Sequence, residues 1–120
     1  MYASFEDMPV WQKAMELAEQ VFALTEGLPR KEDYGLTSQI RGSALSVAGN
    51  IAEGFGRQHT KDKINFYYIS RGSLAETKSH LIYGCKVHYF KQSDLTRLSK
   101  LIQNVWEDLN KLINSFTRRP

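Results

Sequence analysis

The segment SDLTRLSKLIQNVWEDLNKLINSFT, residues 93–117, carries the clearest periodicity in the chain. Its Leu95, Leu98, Ile102, Val105, Leu109, Leu112 and Phe116 recur at alternating three- and four-residue steps, which sets them along one side of a helix as a heptad seam. Ser93 stands where an N-cap is expected. A half-buried strand would alternate apolar and polar residues with period two, and no such run occurs here or elsewhere in the chain.

Working upstream, Lys91-Gln92-Ser93 reads as a short connection, and Thr60 followed by Lys61-Asp62 reads as the cap and first turn of a preceding helix that runs to about Phe90. Tyr67, Leu74, Leu81 and Cys85 form its stripe, with Ile64 and Ile69 nearby, and Ser70, Ser73 and Thr77 interrupt it. Gly54-Phe55-Gly56 closes an earlier helix whose stripe is Leu36, Ile40, Ala44, Val47 and Ile51. That helix is poor in bulk: Gly42, Ser43, Ala44, Ser46, Ala48 and Gly49 lie within it. Each internal glycine costs about 1 kcal/mol of helix propensity relative to alanine, so close approach of another backbone is expected to offset it, in the bundle centre or at an oligomer contact. Val10, Ala14, Leu17, Val21 and Leu24, widened by Trp11 and Ala18, mark a first helix, with Asp7 as its cap and Gly27-Leu28-Pro29 as its stop. Arg30-Lys31-Glu32-Asp33-Tyr34-Gly35 reads as a loop. The expectation is an all-α fold, an antiparallel up-down-up-down four-helix bundle with helices at about 8–26, 36–55, 60–90 and 93–117 in a single domain spanning 1–120. Pro9, Pro29 and Pro120 all fall at segment edges, as long helices require, and disorder is expected only in the first few residues and in Arg118-Arg119-Pro120.

At 120 residues the chain has the length of one domain, which argues against a two-domain enzyme with a large cleft. Cys85 is the single cysteine, so no intrachain disulfide forms, and Glu6 and Asp7 stand where a secretory signal would need a cationic start. No run approaches the roughly 18 apolar residues of a membrane span. A cytoplasmic location is expected, with no membrane partner. Charge is unevenly divided: residues 1–56 hold four basic and eight acidic side chains, net −4, whereas residues 57–120 hold twelve and five, net +7. Such asymmetry fits a polyanion partner, head-to-tail self-association, or simply a solvated surface.

The sequence contains little that points to catalysis. His59, His80, His88 and Cys85 show no zinc-ligand spacing, although His88 and Cys85 could share a helix face, and no Glu-x-x-His pair of a di-iron bundle occurs. Gly54-Phe55-Gly56-Arg57 lacks the lysine and hydroxyl residue of a phosphate loop, and no nucleophile elbow is present. No metal, no cofactor and no enzymatic activity are expected. What stands out is a polar set, Gln39, Arg41, Asn50, Glu53, Arg57 and Arg71. Asn50, Glu53 and Arg57 share a helix face as one patch, or else Glu53 and Arg57 merely pair while Asn50 satisfies nearby backbone. Arg71 borders an apolar stripe, where an unpaired guanidinium is costly, so a carboxylate partner is expected, Glu16 or Glu19 on the first helix or the exposed Glu76. Phe55, Phe66, Tyr67 and Tyr68 lie among Arg57, Lys61 and Lys63, a composition that suits base stacking with phosphate neutralisation or, equally, a subunit interface. Arg57, Lys61, Lys63, Lys78 and Lys86 are the candidate nucleic-acid contacts; Gln39, Arg41, Asn50, Glu53, Phe55, Arg57 and Arg71 are the candidate polar patch or subunit interface.

Tyr34-Gly35-Leu36-Thr37-Ser38-Gln39-Ile40-Arg41, Ser46-Val47, Asn50-Ile51-Ala52-Glu53-Gly54-Phe55-Gly56-Arg57 and Arg71-Gly72-Ser73-Leu74 with Glu76 closely resemble the four-helix-bundle proteins encoded in 23S ribosomal RNA intervening sequences. Val10-Trp11-Gln12 leading into Ala14 extends the resemblance over nearly the whole chain, and Ala48-Gly49 departs from the many members with a proline near that point. The resemblance implies a homopentameric ring with no established enzymatic activity. It also implies kinship with the accessory variability proteins of diversity-generating retroelements, basic pentameric barrels that engage nucleic acid and a reverse transcriptase. RNA, ribosomal RNA included, and a reverse transcriptase are therefore the expected partners, and Gln39, Arg41, Asn50, Glu53, Arg57 and Arg71 are the family-defining positions.

Overall fold

A computed structural model describes residues 2–117; the basic tail Arg118-Arg119-Pro120 lies outside the described residues. Four α-helices make up most of the described residues: α1 (Pro9–Thr25), α2 (Leu36–Gly56), α3 (Thr60–Lys86) and α4 (Gln92–Thr117). Short 3₁₀ turns at Phe5–Asp7 and Arg30–Glu32 precede α1 and α2, and no strand is present among the described residues. The bundle measures 50 × 23 × 20 Å. Around it, α1 packs on α2 and α4, and α3 packs on α2 and α4, while the backbones of the diagonal pairs stay further apart.

Helix starts differ in detail from expectation. Met8, not Asp7, is the N-cap of α1, with Pro9 supplying the preset φ of the first helical position, and Ser4 caps the 3₁₀ turn instead. His59 caps α3, so Thr60 is already helical. At α4 the Asp94 carboxylate accepts the Lys91 N–H at 3.1 Å, so Ser93 is inside the helix and Asp94 does the capping.

The most extensive contact in the bundle joins α2 to α3. On α3 the buried side is Tyr67, Ser70, Leu74, Thr77, Leu81 and Gly84, an unbroken three–four alternation in which a large residue and a small one take turns. Ser70 and Thr77 are thus members of the seam and not interruptions, whereas Ile69 is exposed. Facing them are Ile40, Ser43, Ala44, Val47, Ile51 and Gly54 of α2. Short side chains bring the helices close, and hydroxyls occupy the gap. Ser70 Oγ donates to the Val47 carbonyl at 2.7 Å. Thr77 donates to Ser43 Oγ at 2.9 Å, and the Ser43 hydroxyl in turn donates to the Ile40 carbonyl at 3.2 Å. Ser46 and Ser73 hydroxyls meet at 3.0 Å. Each buried hydroxyl in this seam is satisfied, which removes the penalty of burying it.

Glycine is required by close approach at two positions. A Cβ on Gly54 would lie 2.6 Å from Tyr67 Cε1, and one on Gly84 would overlap the Phe90 ring. Gly42, Gly49 and Gly72 meet nothing among the described residues, so of the two places expected for close approach the bundle centre does not account for their propensity cost.

α3 ends at Lys86, four residues before the expected Phe90. His88 takes the left-handed conformation at φ 69°, the Tyr89 N–H reaches back to the Gly84 carbonyl at 2.8 Å, and the His88 N–H bonds the Cys85 carbonyl at 3.0 Å. This is a Schellman stop with histidine in the usual glycine place, and it turns Phe90 onto Gly84. His88 therefore lies beyond the helix and shares no face with Cys85.

α4 buries Leu98, Ile102, Val105, Leu109 and Ile113. Ile113 takes the core position expected of Leu112, and Leu112 and Phe116 are half-buried. A helix with 3.6 residues per turn drifts about 20° per heptad from a strict 3.5 repeat, and the last turn shows that drift.

At one end of the bundle Glu32 ties two connections together. One carboxylate oxygen accepts the Leu36 N–H at 3.1 Å, capping α2, and the other accepts the Tyr89 hydroxyl at 2.9 Å from the α3–α4 connection. The Leu36 amide and then the Tyr89 hydroxyl hold the Glu32 carboxyl below the usual glutamate range. A carboxyl whose folded pKa is lowered contributes stability above its unfolded pKa, and that contribution is lost as pH falls through the folded value. Glu32→Gln is expected to lower the melting temperature at neutral pH and to make its fall on acidification shallower, read by calorimetry from neutral pH down through the carboxylate range. Gly54→Ala is expected to cost about 1–3 kcal/mol in urea unfolding, because the buried Tyr67 ring has no room to yield.

Candidate functional site

The sequence-derived residues fall into separate places. At the α2–α3 junction, Arg57 pairs with Glu53 at 3.1 Å one helical turn away and stacks over Phe66 at 4.8 Å. Both members of the pair are about half exposed, so the bond is weak and open to competition from a ligand. Lys63 is committed elsewhere: its ammonium donates to the Phe55 carbonyl at 2.8 Å and the Gly54 carbonyl at 3.3 Å, closing the last turn of α2. It also lies over the Phe55 ring at 5.6 Å. Lys61 is exposed.

Along α2, Asn50 donates to the Ser46 carbonyl and hydroxyl, both at 2.8 Å, which is the backbone-satisfying alternative and not a free patch. Gln39 lines a shallow polar groove between α2 and α3 with Ser46, Ser73 and Glu76. Arg41 turns toward α1. Its Nε donates to Thr25 Oγ1 at 2.7 Å, its guanidinium meets Glu26 at 3.2 Å, and its plane lies over Phe22 at 4.3 Å. It thereby closes the α1 C-terminus, a place where a cation also faces the negative end of the helix dipole.

The carboxylate expected for Arg71 is not there. Its guanidinium donates to Asn110 Oδ1 at 2.7 Å and lies between the Tyr68 and Trp106 rings, 4.9 and 5.1 Å from their centres. Two π faces and one neutral acceptor replace the anion, because Arg71 points to α4, away from Glu16 and Glu19 on α1 and one turn short of Glu76, which pairs with His80.

Three grooves on the outside of the bundle are largely apolar, one of them, of about 410 Å³, between the start of α1 and the end of α4 with Met8, Val10 and Leu112 in its walls. Between α3 and α4, Ala75, Ile82, Ile102 and Trp106 wall a groove of about 410 Å³ with Lys78 at its edge. Between α1 and α2, Met15, Ala18, Phe22 and Leu45 wall another of about 400 Å³, edged by Glu19 and Arg41. Phe22 is 52% exposed and Leu45 59%. These residues, with Trp106 and Asn110, are absent from the sequence-derived set. The available signal was positional: Gln103, Trp106 and Asn110 keep three–four spacing on a second side of α4, and Leu45 is the one bulky residue outside the α2 stripe between Gly42 and Gly49. Lys86 lies exposed at the far end of α3.

Among the described residues no cluster of three or more His, Cys, Asp or Glu side chains is placed to hold a metal ion. Burial, with Asp94 nearby, pushes the Cys85 thiol up, which keeps it protonated and a poor nucleophile near neutral pH. Among the described residues no helix is long and apolar enough to cross a membrane.

Helix content and packing order define an all-α protein of four helices whose outward faces, more than any enclosed cleft, carry its distinctive side chains. The chain belongs to the 23S rRNA-intervening sequence protein family, whose model matches residues 6–111. Its fold is shared by a crystal structure of a protein with unknown function from the S23 ribosomal protein family of Bacteroides thetaiotaomicron VPI-5482, with a TM-score of 0.77 and 20% identity over 87% of this chain and 97% of that one. At that identity the likeness speaks for the fold alone. No functionally curated protein matches.

The Arg71 cluster makes a distinct energetic prediction. A double-mutant cycle of Arg71→Met with Trp106→Leu is expected to give a coupling of about 0.5–1 kcal/mol that survives added salt, because the partner is a ring and not a screened anion.

Proposed function

We propose that the chain is a non-catalytic building block of a homo-oligomer, a ring of five copies, that meets RNA through the basic surface of its later helices in the cytoplasm. In this reading the single domain is an antiparallel up-down-up-down bundle. Short connections, together with the pairing of Gly54 with Tyr67, Ser43 with Thr77 and Lys13 with Asp108, support that arrangement. The observation that carries the assembly is the exposure of Phe22, Leu45 and Ile82 beside two apolar grooves, in a bundle whose core is otherwise closed. Contact with RNA is supported by the net +7 of residues 57–120, and by Lys61 and Lys86, which stand exposed and form no ion pair among the described residues. The 25 residues of α3 between them span about 38 Å, room for several phosphates. The name of the family, an intervening sequence of 23S rRNA, fits the same chemistry. Exposed apolar side chains also favour a second reading, a scaffold for a protein partner such as a reverse transcriptase, with no direct RNA contact.

Light scattering is expected to give about five times the 13.8 kDa chain mass. Binding of a labelled structured RNA is expected to weaken log-linearly with salt, and Lys61→Glu with Lys86→Glu to abolish it while the oligomer stays intact. Absence of RNA binding at low salt, with the oligomer present, selects the scaffold reading.

A further inference from the structure

Two of the outer apolar grooves, α1/α2 and α3/α4, carry side chains of opposite charge at their edges, Glu19 and Lys78. We propose that they are the two halves of one heterologous contact between copies of this chain: the α1/α2 face of one copy, led by Phe22 and Leu45, seats in the α3/α4 groove of the next, against Ile82, Ile102 and Trp106. This contact rests on the homo-oligomer reading above and names the surfaces that build it.

Shape is the first argument. Phe22 and Leu45 stand 52% and 59% exposed on one face, and the other offers a groove of about 410 Å³ with apolar walls.

Charge is the second. Glu19 edges the α1/α2 groove and Lys78 edges the α3/α4 groove, and neither takes part in an ion pair among the described residues. The halves of the chain that carry these faces have net charges of −4 and +7. Pairing unlike faces sets opposite charges together, whereas pairing a face with itself sets Glu19 near Glu19 or Lys78 near Lys78.

Height is the third. The Tyr89–Glu32 bond puts the α1–α2 and α3–α4 connections at the same end of the bundle. Measured from that end, Phe22 lies three residues from the close of α1 and Ile82 four from the close of α3, while Leu45 lies nine residues into α2 and Ile102 ten into α4. A neighbour set alongside without a shift along the bundle axis brings the two faces into register. Because α1 neighbours α2 and α4, and α3 neighbours α2 and α4, with α1 and α3 set diagonally, the grooves lie on opposite sides, so the contact can be repeated from copy to copy.

The test uses Phe22→Asp, which spoils one face, and Ile82→Asp, which spoils the other; circular dichroism checks that each variant remains folded. Each alone is expected to be monomeric by light scattering. Mixed in equal amounts they are expected to form a dimer and nothing larger, since each pair then holds one sound contact and two spoiled ends. A mixture that stays monomeric overturns the proposal, as does either variant keeping the wild-type mass. A monomeric wild type overturns the oligomer reading itself, whereas a wild-type oligomer that survives both substitutions overturns only this choice of surfaces. Independently of folding at the apolar sites, Glu19→Lys and Lys78→Glu are each expected to raise the assembly midpoint concentration by up to about fivefold, and the double exchange to restore it. Additive loss in the double exchange counts against the pairing.

Discussion

Close approach of α2 and α3 is the constraint on which the rest of this molecule depends. Ser43, Ala44, Val47 and Gly54 on one helix, with Ser70, Thr77 and Gly84 on the other, leave too little room for a conventional leucine seam. The hydroxyls that line the gap would be costly if left dry and unpaired, but each reaches a carbonyl or another hydroxyl across or along the seam. Large residues are confined to alternate positions, Tyr67, Leu74 and Leu81, and fill the spaces that α1 and α4 then cover. The same requirement sets the ends: Gly54 must be small where Tyr67 crosses it, and Gly84 where Phe90 folds back.

Once α2 and α3 are joined so tightly, the polar side chains of the chain are distributed by what remains. Arg41 closes α1, Lys63 closes α2, and Asn50 holds the Ser46 turn. Several side chains that read from sequence as ligand contacts are therefore helix-end or turn fasteners. Arg71 is the exception in kind. It is held by two aromatic faces and an amide on α4, so its charge is stabilised without an anion and remains part of the outer surface. Phe22 and Leu45 are left outside at the α1/α2 groove and Ile82 at the α3/α4 groove, away from the polar groove between α2 and α3, while Tyr34, Tyr68, Ile69, Tyr83 and Val87 are exposed elsewhere on the bundle.

Sequence periodicity determined a good deal: four helices, their approximate limits, the α2 core stripe, those of α1 and α4 short of the last turn, where Thr25 and Ile113 replace Leu24 and Leu112, and the split of charge between the two halves. These properties are local, since a residue's face on a helix follows from 3.6 residues per turn and the breakers from backbone chemistry. Only the tertiary structure decided that Ser70 and Thr77 belong to the core, that α3 stops at Lys86, that Arg71 meets Trp106 and Asn110, and that Phe22 and Leu45 are left uncovered. Each of these depends on how near a second helix lies and which of its side chains face the gap, and a one-dimensional pattern does not contain that distance.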